Sequence, residues 1–153
     1  INKTQEVFAE ARSLAERLGI NLNLPPLFVD PDKRQCPFIA RQALFVTVDG
    51  SFAPCYNLAH THSLYINRHL RNESSYTLGS ISQSVPLAVI CGSHVSLFSR
   101  LQSMKEDVPW CGDCIYSTQN CYYVDNNESD CYGNQPGCNE CLYSTGFVKC
   151  LFD

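Results

Sequence analysis

Ten cysteines stand among the 153 residues of this chain, and their spacing is the first chemistry it offers. Seven fall between residues 111 and 150, in WCGDCIYSTQNCYYVDNNESDCYGNQPGCNECLYSTGFVKC. Cys111/Cys114 and Cys138/Cys141 form C-x-x-C pairs, a spacing that lets two thiolates reach one metal from a single tight turn. Cys36 and Cys55 bracket CPFIARQALFVTVDGSFAPC. Cys91 is isolated in an apolar stretch, where a buried, inert thiol is expected.

Three chemistries compete for these thiols. An even cysteine count and the N-x-S/T sequons at Asn2, Asn72 and Asn127 suit a disulfide-stabilised secreted domain. Two C-x-x-C pairs in one local region argue instead for metal. A structural zinc module for protein contact needs only Cys111, Cys114, Cys138 and Cys141, leaving Cys36, Cys55, Cys121, Cys131 and Cys150 without a role. Two iron–sulfur clusters of four thiolates each use eight cysteines, with Cys91 set aside and one to spare. Small residues beside the thiols fit that reading, since backbone amides there can donate to sulfur and tune a potential. Spacing alone leaves zinc and iron–sulfur both open. The histidines His60, His62 and His69 are expected to be structural, because thiolates outcompete imidazole for a soft ion.

Several elements must position these thiols. Residues 4–18 carry Val7, Phe8, Ala11, Leu14, Ala15 and Leu18 on one stripe, an amphipathic helix closed by Gly19. Residues 20–24 alternate with period two before Pro25-Pro26 and predict a short strand. Residues 27–35 read as a linker. Asp49-Gly50 predicts a two-residue hairpin turn between strands at 43–48 and 51–55, with Val48 opposite Ser51 and Val46 opposite Ala53. The lead-in from Cys36 must fold back for its thiol to approach Cys55. Residues 86–104 predict a helix that turns Leu87, Ile90, Cys91, His94, Val95, Leu97, Phe98 and Leu101 mostly toward the core, with Pro86 in its first turn. After Trp110 no periodicity persists, and the tail has too few aliphatic side chains to fold around its own core. CIYST (114–118) and CLYST (141–145) are a partial internal echo.

Composition narrows the partners. The net charge is −4, charged residues make up 17%, and no basic stripe exists, which excludes nucleic acid and anionic membrane as expected partners. The longest nearly apolar run, residues 85–91, is too short to span a bilayer. The chain opens already in a helical pattern, as expected of a trimmed start rather than a targeting segment.

These motifs together resemble the SPASM domain, the C-terminal auxiliary-cluster domain of radical S-adenosylmethionine enzymes. That family opens with a cysteine, nine to fifteen residues, a glycine, four residues and a cysteine; Cys36, thirteen residues, Gly50, SFAP and Cys55 match it. YTLGSIS at 76–82 is similar to the stretch that introduces the family's helix. Arg100 followed by Cys111-Gly-Asp-Cys114 is similar to the helix end and C-x-x-C beyond it. The family continues C-x2-C-x5-C-x3-C and a last cysteine. Here six residues separate Cys114 from Cys121, nine separate Cys121 from Cys131, and Cys138, Cys141 and Cys150 exceed the single terminal thiol.

The resemblance implies an α+β fold: a small cysteine-rich domain at 36–153 with a β-hairpin, a following helix and an irregular metal-bound tail. Residues 1–35 would be a helix–strand remnant of a partial α/β barrel and a linker. It implies [4Fe-4S] clusters, two in number, on Cys36, Cys55, Cys111, Cys114, Cys121, Cys131, Cys138, Cys141 and Cys150, with zinc as an alternative or adventitious occupant. Cys36, Cys55 and a thiol near Cys131 would hold one cluster; Cys111, Cys114, Cys121 and one of the last three would hold the other. The radical-generating C-x3-C-x2-C motif is absent, so S-adenosylmethionine would bind only in an upstream barrel of the same full-length chain. The implied role is electron transfer and binding of a peptide or protein substrate within a cytoplasmic oxidoreductase-type maturase of peptides or cofactors, served by a redox partner.

Overall fold

The computed structural model describes residues 2–84, 86–117 and 121–149. Helix α1 spans Asn2–Leu18. Gly19 ends it at φ +66°, and the Ile20 amide bonds back to the Ala15 carbonyl at 2.9 Å, satisfying the last turn. Its apolar stripe is only partly covered. Ala15 is buried, whereas Val7, Leu14 and Leu18 are exposed. The strand expected at residues 20–24 does not form. The alternating segment has no neighbouring strand among the described residues, so its backbone joins no ladder.

A one-turn helix, α2 (Pro37–Ala40), follows Cys36 and supplies the fold-back that the hairpin requires. Strands β1 (Phe45–Val46) and β2 (Ser51–Ala53) pair with Phe45 opposite Ala53 and Val46 opposite Phe52. That register is one residue away from the expected one. The loop holds three residues, because the Gly50 amide closes a turn onto the Thr47 carbonyl at 2.9 Å and Gly50 itself sits at φ +80°. Thr47 Oγ1 bonds the Asp49 carboxylate and braces the turn from inside.

Strands β3 (His62–Ile66) and β4 (His69–Glu73) form a second hairpin, turned by Asn67 and Arg68, both at positive φ. Strand β5 (Gly79–Ser80) adds to β2, giving the order β1-β2-β5. Helix α3 (Leu87–Gln102) then buries Ile90, His94, Leu97 and Leu101. The His94 ring Nε2–H donates to the Ala43 carbonyl at 2.8 Å, tying α3 to the lead-in of the hairpin.

Cys91 is exposed, not buried as expected, and Leu87 and Val95 are exposed with it. The apolar residues of α3 make two adjoining stripes, and only one is covered: Leu97 and Leu101 pack with Phe38 of α2, and Ile90 faces Gly79 of β5. Helix α4 (Met104–Asp107) completes a core of Cys36, Phe38, Leu97, Leu101, Met104 and Val108.

The tail is irregular, as expected, apart from single turns at Cys111–Asp113 and Tyr122–Val124. Polar side chains stand in for its missing apolar core. Asn127, Asp130, Asn139, Glu140 and Ser144 are buried. Asn127 accepts the Ser74 amide at 2.8 Å and donates to the Ser74 carbonyl at 2.9 Å, imitating a strand pair. Its sequon is therefore closed to modification in the folded chain.

Candidate metal centre

Four thiols from three distant parts of the chain lie near enough beside the core to feel one another's charge. Cys36 stands at the start of α2, Cys55 just past β2, and Cys138 and Cys141 in the tail. Cys36, Cys55 and Cys138 pack within or against the core cluster. Burial is the main reason their acidities fall: it pushes the Cys55 and Cys138 thiols well up and Cys141 up to about 11. The thiols also oppose one another's ionisation, Cys55 feeling Cys141 and Cys36, and Cys138 feeling Cys141, Cys55 and Cys36.

The backbone works in the other direction. The amides of Phe38 and Ile39 donate to Cys36, those of Asn57 and Leu58 to Cys55, and those of Tyr143 and Ser144 to Cys141. Each time the donors lie two and three residues beyond the cysteine. This is the arrangement that favours a thiolate once a metal replaces the proton.

A second set of thiols, Cys111, Cys114, Cys121 and Cys131, is coupled through Cys131 in the tail. Cys131 is raised first by burial, then by Asp130, and further by Cys121 and Cys114. Cys111, pushed up to about 12 chiefly by burial, also feels Cys131. Cys131 is exposed, so this quartet is the more open of the two.

The couplings group the thiols otherwise than the family resemblance implied. Cys131 keeps company with Cys114 and Cys121, while Cys138 and Cys141 join Cys36 and Cys55. The chain doubles back after Cys131 and carries the second C-x-x-C pair to the hairpin. The Cys111/Cys114 and Cys138/Cys141 pairs, which a single zinc site would need together, couple to different thiols. Cys150 lies outside the described residues. The nine described cysteines are all unpaired. Among the described residues no three His, Cys, Asp or Glu side chains close around a single metal ion.

The short echo in the sequence is a structural repeat. In the first copy the Cys114 amide bonds the Cys111 carbonyl at 3.1 Å, and Ser117 Oγ donates to the Cys114 carbonyl at 2.8 Å. In the second the Cys141 amide bonds the Cys138 carbonyl at 3.3 Å, and Ser144 Oγ donates to the Cys141 carbonyl at 2.8 Å. Each quartet contains one C-x-x-C-x-Tyr-Ser hook.

Between the quartets runs a buried polar network that sequence reasoning missed. Arg71, 1% exposed, donates to Glu73 at 2.6 Å, to the Val124 carbonyl at 2.9 Å and to Asn139 Oδ1 at 3.2 Å. It also pairs with Glu140 at 3.6 Å, and His69 Nε2 meets the same carboxylate at 2.8 Å. Two further arginines lend positive charge. Arg34 donates to the carbonyls of Met104, Val108 and Pro109 and feels both Cys141 and Cys111. Arg100 binds the carbonyls of Gln135 and Pro136 and counteracts the rise at Cys138. The one sequence signal for any of this was Asn139-Glu140, two polar residues enclosed by a C-x-x-C pair.

Clustered thiols with amides aimed at sulfur describe a protein that carries an inorganic group. The chain matches the SPASM family, described as an iron-sulfur cluster-binding domain, over residues 36–115, and it belongs to that family. It is also 30% identical over 132 residues to the tungsten-containing aldehyde ferredoxin oxidoreductase cofactor-modifying protein of Pyrococcus furiosus. The match covers 86% of this chain and 36% of that relative, so the chain spans about a third of the relative's length. No solved structure matches it.

Proposed function

We propose that this domain holds two [4Fe-4S] clusters, one on Cys36, Cys55, Cys138 and Cys141, the other on Cys111, Cys114, Cys121 and Cys131. The observation that carries the proposal is the pair of hooks, one in each quartet. Each hook fixes the backbone around two thiols, and each quartet would supply the four thiolates such a cluster takes. Bound there, the clusters would supply one-electron chemistry. The protein's own part is to shed the thiol protons, aim amides at sulfur and balance thiolate charge with Arg34, Arg71 and Arg100. Cys150 remains a candidate ligand in reserve.

We further infer that the domain serves a radical S-adenosylmethionine maturase, passing electrons and helping to hold the substrate. Residues 1–35 would belong to that enzyme's barrel, a reading supported by the exposed Val7, Leu14 and Leu18 on α1. The relative's cofactor-modifying role favours a protein-bound cofactor, or the protein carrying it, as the substrate class over a free peptide. Unpaired cysteines suit the reducing cytoplasm. No described helix is long and apolar enough to cross a membrane.

Anaerobic reconstitution tests the central claim. About eight irons and eight acid-labile sulfides per chain are expected, falling by about half in Cys55→Ala and, independently, in Cys114→Ala. Zinc at one or two per chain without sulfide would overturn it.

A further inference from the structure

Asn139 is 0% exposed, and its polar atoms are committed to definite partners. Its Nδ2 donates to the Cys111 sulfur at 3.1 Å and to the Tyr123 carbonyl at 3.1 Å. Its Oδ1 accepts from Arg71 Nη2 at 3.2 Å. Its backbone carbonyl accepts the Cys111 amide at 3.1 Å, so Cys111 is held at both backbone and sulfur by one residue.

Arg71 decides which way the amide faces. A guanidinium has donors and no acceptor, so the asparagine oxygen must meet it and the NH2 must meet sulfur. Yet Asn139 lies between Cys138 and Cys141, which stand in the other quartet. One side chain thus reaches out of the first quartet to a sulfur of the second. An N–H···S bond strengthens as negative charge accumulates on sulfur, so it favours the reduced form of whatever that sulfur ligates.

We infer that Asn139, oriented by Arg71, is a positioning residue that raises the reduction potential of the cluster held by Cys111. The inference rests on the two-cluster reading above. The test is Asn139→Leu in the reconstituted protein, followed by a redox titration monitored by electron paramagnetic resonance. The Cys111 cluster is identified as the one whose signal disappears in Cys114→Ala.

Iron and sulfide should stay near those of the unaltered protein, while reduction of the Cys111 cluster becomes less favourable by roughly tenfold, about 59 mV for a one-electron couple. The other cluster should not move. Unchanged potentials with full iron would overturn the inference and leave the two-cluster reading standing. Equal shifts of both clusters would also overturn it, as a general loosening of the fold.

If the leucine variant loses iron, the unaltered protein decides. Labelled with 15N in asparagine side chains, it should show a 15N hyperfine coupling at one cluster only, and no such coupling would overturn the inference. Zinc in place of iron and sulfide would overturn both readings.

Discussion

Without a metal, the buried thiols keep their protons. Cys111 is pushed up to about 12 and Cys141 up to about 11 from an ordinary 9.0, in both cases chiefly by burial. The unfolded chain ionises these thiols first, so above pH 9 it binds fewer protons than the folded chain. Stability of the metal-free protein should therefore be flat below about pH 9 with respect to these groups and fall between about pH 9 and 12. Urea midpoints of chelated protein at pH 8, 9 and 10 would show this, and a midpoint still rising at pH 10 would contradict it. At this scale the thiols themselves were legible, because C-x-x-C and the Cys36–Gly50–Cys55 spacing are local patterns. Their partners were not. Arg71 and Asn139 sit in unremarkable polar surroundings in the sequence, and only the folded path brings them to Cys111.

Secondary structure elements were legible where a local signal governs them and blurred where a neighbour decides. Asp49-Gly50 announced a hairpin, but Thr47 and the positive φ of Gly50 set the loop length, which shifted the register by one. The two apolar stripes of α3 looked like one broad face until α2 and β5 covered just one of them, leaving Cys91 outside. The alternating residues 20–24 had the pattern of a strand without a partner to pair with. Gly79 shows a contact between elements that can be tested. It has φ +153°, and a methyl added to it would lie 3.2 Å from Ile90 Cγ1, at the junction of β5 and α3. Gly79→Ala should lower stability by about 1–3 kcal/mol through backbone strain and overpacking together. Thermal unfolding of the loaded protein would measure the loss. An unchanged midpoint would mean that β5 shifts freely against the helix.

Across the whole molecule, two kinds of cohesion share the work. The hairpin, α3 and α4 rest on apolar packing around Phe38, Leu97 and Met104, whereas the tail rests on polar side chains and on its thiols. Metal binding contributes folding free energy to the segments it clamps. Chelation should therefore lower hydrogen-exchange protection in residues 111–149 more than in α3, with the tail still folded. Equal protection of the tail before and after chelation would show that packing alone orders it. Helices and a hairpin were readable from periodicity and turn residues, and the family resemblance implied the α+β character. The proposed partition of the thiols was not readable, because it depends on where the chain reverses after Cys131, and no local pattern marks that reversal.

The two quartets also differ in how much chain each must gather. On the proposed assignment, one is contained within residues 111–131, while the other ties the segment at Cys36 to the segment at Cys141. Closing the longer loop, roughly five times the length of the shorter, costs about 1.5 kcal/mol more in chain entropy. During synthesis the inner quartet is complete as soon as Cys131 emerges, and the outer one must wait for Cys141. The outer quartet then acts as a clasp, joining the earliest thiol of the domain to nearly the last. Under the proposed two-cluster reading, loading would follow an order written into the chain: the local site can fill first, and filling the distant one would fasten the domain shut.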